Sequence, residues 1–309
     1  MTANSFTIAL SGNPLDRLDA LRKNPNEIEK LKNQPETVFV VSHKDKILTD
    51  AQGMLALVNH AVLSQIDQEN VDLLFLGIEH ESQRPWFAIL IHVDPLPAAA
   101  SSVDLFDTLG QFLSLRDGLS MLPADDLAIA GRIISLVNWH GLNRFCSRCG
   151  APSKLSGGGE KRLCTACDTE HFPRVDPAVI MMVVNGDNCL LGRNESWPAG
   201  RYSTLAGFVE PGESLEEACR REVMEEAGIE IGEVAYAFSQ PWPFPHSIMV
   251  GMIATAISTK ITLEDELEDA HWFSRDEIKQ ILAGTHLDVL PPFPHAASGV
   301  LLRQWAEQA

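Results

Sequence analysis

The run Gly207-Phe-Val-Glu-Pro-Gly-Glu-Ser-Leu-Glu-Glu-Ala-Cys-Arg-Arg-Glu-Val-Met-Glu-Glu-Ala-Gly-Ile229 decides how this chain is read. Ser214 stands just ahead of a helical segment, with Glu217 three residues on. That is a capping-box arrangement, in which a hydroxyl and a carboxylate satisfy free amides at the start of a helix. Gly228 follows the segment, where a helix commonly ends in a left-handed residue. Glu222, Glu225 and Glu226 are spaced i, i+3, i+4 and so share one face. Three like charges this close repel unless a cation or solvent offsets them. The plainer reading is a solvated acidic face, but it leaves the flanking glycines and Arg221 unexplained. Clustered oxygen ligands without His or Cys suit Mg²⁺ or Mn²⁺, ions that bridge phosphate oxygens and activate water.

Working outward, residues 178–184 are a continuous apolar run, expected to be a buried strand. Residues 185–188 form a turn and 189–192 a second strand. Beyond the acidic helix, 248–257 and 270–273 read as strands and 275–282 as a helix. Towards the N-terminus, 15–32 has helical spacing. Segments 37–41 and 46–48 read as one hairpin, 73–77 and 86–91 as another. Residues 103–115 read as a helix, and Pro123 opens a longer one over 125–140. The pattern is α+β, without a visible repeat, and the N-terminal part carries no chemical motif of its own.

The chain has 309 residues, enough for two domains or two plus a small module. With 24 basic against 42 acidic residues, the net charge is −18. Such a chain lacks the basic footprint of a general nucleic-acid or membrane binder, so DNA and membrane are not expected as partners. Neither a spanning run, nor a secretory leader at residues 1–10, nor a targeting signal at 306–309 is visible. The expected location is the cytoplasm. Cys146, Cys149, Cys164 and Cys167 form C-x2-C-x14-C-x2-C, spacing that suits one tetrahedral zinc ion. Gly157-Gly158-Gly159 suits a hairpin tip between the two pairs. Four thiolates fill the zinc shell, so this ion is expected to be structural. Cys189 and Cys219 sit among apolar neighbours and read as small core residues.

The quoted run matches the Nudix box, G-x5-E-x7-R-E-U-x-E-E-x-G-U, at Gly207, Glu213, Arg221, Glu222, Val223, Glu225, Glu226, Gly228 and Ile229. The chain thus resembles the Nudix hydrolases, which cleave nucleoside diphosphates linked to another moiety. The resemblance implies an α/β/α sandwich, with Glu222, Glu225 and Glu226 as ligands of Mg²⁺ or Mn²⁺ and Arg221 orienting them.

A second segment, Ser239-Gln-Pro-Trp-Pro-Phe-Pro-His-Ser247, reads by composition as a stiff proline loop. It resembles the signature of the NADH pyrophosphatases, which also place a four-Cys zinc ribbon between an N-terminal domain and the Nudix domain. The resemblance implies an N-terminal α/β domain over 1–143, a ribbon over 144–172 and a Nudix domain over 173–309. It implies hydrolysis of NADH or NAD⁺ to AMP plus NMNH or NMN, a homodimer, and a capacity to remove NAD caps from RNA.

Carried over residue by residue, the resemblance puts Gln240, Pro241, Trp242, Pro243, Phe244, Pro245, His246 and Ser247 along the substrate. Phe208 would stack on a substrate ring. Ala206 would serve both substrate and metal, and Glu266 would be a further metal ligand, with Glu264, Glu268 and Asp269 as rivals. Arg116, Phe172 and Ser298 would also contact substrate. Phe172 stands where the family commonly has Tyr, Ser298 where it often has Ala, and Gly159 where it has an acidic residue, with Glu160 adjacent. Two other readings stay open. One is a Nudix enzyme for ADP-ribose or a dinucleoside polyphosphate. The other is a zinc-ribbon nucleotide-binding regulator without catalysis.

Overall fold

The structure is a computed structural model that describes residues 8–66, 71–91, 102–264 and 266–307. Residues 1–7, 308 and 309, on which the readings of leader and terminal signal partly rest, lie outside them. The chain is mixed α+β and divides into two compact units: residues 10–174 with 243–246, and residues 1–9, 175–242 and 247–309.

In the first unit, β1 (Leu15–Asp16), α1 (Asp19–Arg22) and α2 (Pro25–Lys32) replace the single helix expected over 15–32. Pro25 cannot continue a helix from upstream, so Asn24 starts a new one by accepting from the Asn26 amide at 3.1 Å. The expected hairpins are β2 (Val38–His43) with β3 (Lys46–Thr49), and β5 (Val71–Glu79) with β6 (Pro85–Ile91). Between them lie β4 (Leu57–Val58) and α3 (His60–Leu63). The helix expected over 103–115 ends early. It spans α4 (Ser102–Leu109) and stops at Gly110, where a Cβ would sit 1.8 Å from the Thr49 carbonyl oxygen. That close approach lets β7 (Gln111–Ser114) pair with β3. Helices α5 (Leu115–Met121) and α6 (Ala124–Leu142) follow.

The ribbon belongs to the same unit, as β8 (Ser153–Ser156), β9 (Lys161–Cys164) and β10 (Glu170–His171). Its tip, Gly157–Gly159, packs on β5: a Cβ at Gly159 would lie 2.2 Å from Leu74 Cδ2. Beside it, Glu160 pairs with both Arg22 and Arg132, and His140 Nε2 bonds the Gly159 carbonyl at 2.8 Å.

In the second unit, β11 (Asp176–Asn185) is the central strand, with β12 (Asn188–Arg193), β13 (Leu205–Phe208), β14 (Ile231–Trp242), β15 (Ser247–Ala256) and β16 (Asp269–Ser274). Helices α7 (Leu215–Ala227), α8 (Arg275–Ala283) and α9 (Ala297–Glu307) cover it. Alternation along β11 decides the layers. Val179, Met181 and Val183 cluster with Ala218, Cys219, Val223 and Ala227 of α7. Ile180 and Met182 cluster with Ile278 and Ile281 of α8 and Val300, Leu301 and Trp305 of α9. The result is the expected sandwich. Cys189 and Cys219 are fully buried, and burial pushes each thiol up to about 12.

The sequence shows no repeat, yet the two sheets share one wiring. In the first, β2 pairs antiparallel with β3 and β4 and parallel with β6; β6 pairs with β5, and β3 with β7. In the second, β11 pairs antiparallel with β12 and β13 and parallel with β15; β15 pairs with β14, and β12 with β16. The four-residue α3 occupies the place of the thirteen-residue α7.

Candidate active site

Helix α7 is built as its sequence dictates. Ser214 Oγ accepts from the Glu217 amide at 3.2 Å, Glu217 Oε2 accepts from the Ser214 amide at 2.7 Å, and Gly228 ends the helix at φ +65°. The face that covers the sheet carries Ala218, Cys219, Val223 and Ala227, and Glu222 and Glu226 lie at its edge, both buried. Glu225 points outward, its side chain 54% exposed.

Arg221 ties this acidic group together. Its guanidinium donates to Glu213 at 2.7 and 3.0 Å, to Glu222 at 2.8 Å, to Glu225 at 2.9 Å and to the Phe208 carbonyl at 2.8 Å. Hydrogen bonds from Arg221 hold the Glu213 carboxyl down at about 2. Glu226 has no such partner. Burial, then the charges of Glu222, Glu266 and Glu225, push it up to about 8. Burial also raises Glu222, although Arg221 opposes it.

Glu226 and Glu266 line a cavity of about 630 Å³, with Ala206, Gln240, Trp242 and Ser298 among its other walls. Three buried side-chain atoms without a hydrogen-bond partner belong to residues of this one lining: Glu226 Oε2, Gln240 Oε1 and Thr204 Oγ1. Gln240 is fully buried, and its Nε2 donates to the His295 carbonyl at 2.7 Å and the Ala9 carbonyl at 3.3 Å. Those two acceptors fix the orientation of the amide and leave Oε1 as a spare acceptor. Buried polar atoms are normally satisfied, so three orphans around one cavity mark a site shaped for polar ligand groups or a cation. A carboxylate without a partner, among other carboxylates, fits a hard divalent ion.

The structure distributes the other expected residues. Ser298 Oγ accepts from the Thr204 amide at 3.0 Å, joining α9 to the cavity wall. Phe208, at the end of β13, is 58% exposed and outside the cavity lining. The stiff loop expected over 239–247 is half strand: Gln240, Pro241 and Trp242 belong to β14 and Ser247 to β15, paired Trp242 to Ser247. Pro243, Phe244, Pro245 and His246 form the turn and group with the first unit. There the Arg116 guanidinium lies 4.4 Å from the Phe244 ring centre, beside a separate cavity of about 400 Å³. Phe172 is 65% exposed, with Lys161 Nζ 5.9 Å from its ring.

Among the described residues, the four ribbon cysteines are the one group of three or more His, Cys, Asp or Glu whose ligand atoms all lie within 4.8 Å of one another. Sulfur separations of 3.4, 3.5 and 3.8 Å suit a tetrahedral ion, for which Zn–S bonds of about 2.3 Å imply about 3.8 Å between sulfurs. Cys164 Sγ also accepts from the Ala166 and Cys167 amides at 3.4 Å each, as a thiolate in a metal turn would. All six cysteines are free of disulfides.

Sequence reasoning missed Thr204, Asn194 and Trp197 of the cavity lining. None belongs to a motif. Long-range contacts, among them the pairing of β13 with β11 and the bridge between Gly192 and Ser203, bring that loop to the site.

Comparison with known proteins finds three family models along the chain. The NUDIX domain matches residues 174–293, the NADH pyrophosphatase zinc ribbon domain 142–172, and the NADH pyrophosphatase-like rudimentary NUDIX domain 36–139. The NAD-capped RNA hydrolase NUDT12 of Pongo abelii is 32% identical over 333 aligned positions, 94% of this chain and 71% of that protein. The mitochondrial NAD(P)H pyrophosphatase NUDT13 of Homo sapiens is 37% identical, over 77% of this chain and 72% of its own. The NAD-capped RNA hydrolase NudC of Chromobacterium violaceum is 40% identical, over 66% of this chain and 73% of its own. With the box on α7, the four-cysteine ribbon and these relatives in agreement, the chain belongs to the NADH pyrophosphatase family of Nudix hydrolases.

Proposed function

We propose that this protein hydrolyses the diphosphate of NADH and NAD⁺, releasing AMP with NMNH or NMN. The observation that carries the reading is the set of unpartnered buried atoms on Glu226, Gln240 and Thr204 around one cavity. Glu222, Glu225, Glu226 and Glu266 would hold Mg²⁺ or Mn²⁺, aided by the Ala206 carbonyl. Such an ion neutralises diphosphate charge and makes water more acidic. The chain's own residues do the rest. Arg221 keeps Glu213, Glu222 and Glu225 in one arrangement before substrate arrives. Glu226 holds a proton near neutral pH in the cation-free site and must release it to act as ligand or base. Gln240 Oε1 and Thr204 Oγ1 are ready to meet the hydrogen-bonding groups of a nucleotide. The cavity is too apolar around Trp242 and Leu267 for a diphosphate alone, which supports a substrate with ring systems attached.

The same reading includes residues 1–143, 144–172 and 173–309 as three modules, a homodimer, and a cytoplasmic location. Among the described residues, no helix is long and apolar enough to cross a membrane. The names of NUDT12 and NudC support NAD-capped RNA ends as substrates beside the free dinucleotide. The test is product analysis with purified protein, NADH and Mg²⁺ or Mn²⁺. Equimolar AMP and NMNH are expected. Faster turnover of ADP-ribose or a dinucleoside polyphosphate would replace the substrate assignment. No turnover of any of them would leave the nucleotide-binding regulator.

A further inference from the structure

A second cavity, of about 360 Å³, opens beside the one that holds Glu226 and Glu266. The two share Trp197, Ser203, Trp242, Ala296 and Ser298. Their chemistry differs. The first has carboxylates and unpartnered polar atoms; the second is walled by Trp197, Trp242, Tyr202 and Phe293, with the Arg201 guanidinium at its edge.

The exposed rings of this annex sit on well-anchored backbone. Arg193 donates to the Trp197 carbonyl at 3.1 Å and to the Pro198 carbonyl at 2.5 Å, and pairs with Glu268 at 2.6 Å. Asn194 Oδ1 accepts from the Ser196 amide at 3.0 Å, and Asn194 Nδ2 donates to the Glu266 carbonyl at 3.0 Å. The same bonds therefore hold the Trp197 loop and the Glu266 loop. On the other side, Arg201 lies 4.4 Å from the Phe293 ring centre and donates to the Pro291 carbonyl at 3.0 Å. Trp197 and Phe293 remain 37% and 68% exposed. Ordering both loops costs conformational entropy; Phe293 recovers little of it by burial in the protein, and Trp197 leaves more than a third of its surface uncovered. A flat ligand placed between them would supply the missing contact.

We infer that this aromatic annex binds a heteroaromatic ring of the dinucleotide while the adjoining cleft holds the diphosphate. The inference rests on the proposed hydrolysis and adds residues to it: Trp197 and Phe293 as ring contacts, Arg193 and Asn194 as positioning residues. A ring joined through ribose to a diphosphate matches an apolar chamber that shares a rim with a carboxylate-lined cleft. Either end of NADH could provide that ring, the dihydronicotinamide or the adenine.

The experiment measures kcat and KM for NADH, NAD⁺ and ADP-ribose with Mn²⁺ on wild type, Trp197→Ala, Trp197→Phe and Phe293→Ala. Tm and zinc content are measured on the same preparations. Loss of one stacking face predicts a KM raised by about tenfold, as for bases on aromatic platforms. Trp197→Phe should recover most of that loss. If the annex takes the nicotinamide end, KM rises for NADH and NAD⁺ but not for ADP-ribose, which lacks that ring. If it takes the adenine end, KM rises for all three. Unchanged KM for every substrate in both alanine variants overturns the annex while leaving the reaction in place. Absence of dinucleotide turnover in wild type overturns the reaction itself. Should an alanine variant fail to fold, quenching of tryptophan fluorescence by AMP and by NMN, compared between wild type and Trp197→Phe, decides. Equal quenching by both mononucleotides in the two proteins removes Trp197 from the site.

Discussion

A Cβ placed on Gly207 would fall 1.8 Å from the carboxyl carbon of Glu222. The box glycine is therefore a seat for a carboxylate, since its φ is not in the left-handed region and the strand itself does not demand glycine. Gly207→Ala should push the Glu222 side chain out of the site while β13 stays paired to β11. We expect turnover to fall about 10²-fold, as for displacement of a metal ligand, with Tm within a few degrees of wild type. A large drop in Tm with normal specific activity in the folded fraction would assign Gly207 to the scaffold.

Replacing either buried carboxylate, Glu222→Gln or Glu226→Gln, should lower turnover by at least about 10²-fold. Neither should unfold the protein: Glu222→Gln relieves charge in a crowded buried group, and Glu226→Gln puts an uncharged amide of the same shape where burial already favours the neutral carboxyl. Near-normal rates in both would displace the site from α7.

The raised Glu226 carboxyl also predicts how cation-free stability depends on pH. A folded value of about 8, above the ordinary 4.5, means the folded state binds more protons between those limits. Stability should therefore fall as pH rises from about 4.5 to about 8, and the fall should be smaller in Glu226→Gln. Saturating Mg²⁺ or Mn²⁺ should reverse the trend by favouring the ionised form. Thermal melts across this range, with chelator and with cation, measure it. Identical pH profiles for wild type and Glu226→Gln would remove Glu226 as the source.

Glu160 should behave in the opposite sense. Burial alone would raise its carboxyl, but Arg132 and Arg22 together outweigh burial and hold it below the usual range. Its contribution is present above about pH 4.5 and is lost as pH falls through the lowered value. Glu160→Gln would leave two buried guanidiniums without a carboxylate, at a cost of about 3–5 kcal/mol. Chemical denaturation at pH 7 tests this, and a loss below about 1 kcal/mol would mean the arginines find another partner.

Phe208→Ala should lower kcat/KM by about tenfold to 10²-fold if its ring stacks on substrate, and Phe208→Trp should keep much of the activity. At 58% exposure the ring has little core contact to lose, so Tm should hold. Unchanged kcat/KM would take Phe208 out of the substrate site.

One zinc ion per chain is expected, retained on dialysis against excess Mg²⁺. Cys146→Ser or Cys164→Ser should lose it and loosen the ribbon tip around Gly159 and Glu160. Protease cleavage near that tip, compared with and without metal, reports the change. Retention of a full equivalent of zinc by both variants would refute the four-thiolate site.

Helix α7 was legible to the residue, because Ser214, Glu217 and Gly228 are local signals and the hydrogen bonds they make are local too. The four cysteines were legible for the same reason: two tight turns need only one ion to join them. Long-range pairing was not. Nothing between residues 103 and 115 announces that Gly110 must pass Thr49 and release a strand. Nothing near residue 204 announces an unpartnered hydroxyl, because distant segments, Gly192 of β12 and Ser298 of α9, hold that stretch of backbone. Gln240 was reached by resemblance, but its role as an amide pinned by two carbonyls, with Oε1 left over, needed the positions of Ala9 and His295.

The shared wiring of the two sheets separates two duties of a covering layer. In the first sheet, Leu63 of the one-turn α3 and Ile66 just after it are among the residues that close the apolar face, and α3 carries no carboxylate. In the second, the corresponding cover is long enough to bring Glu222 and Glu226 to the sheet's edge as well. At this place in the wiring, closing the apolar face thus takes one helical turn together with its neighbours α2 and α4. The additional turns of α7 are superfluous to that task, so substitutions on its carboxylate edge should be tolerated by folding and punished by chemistry, whereas those at Ala218, Val223 or Ala227 should show the reverse.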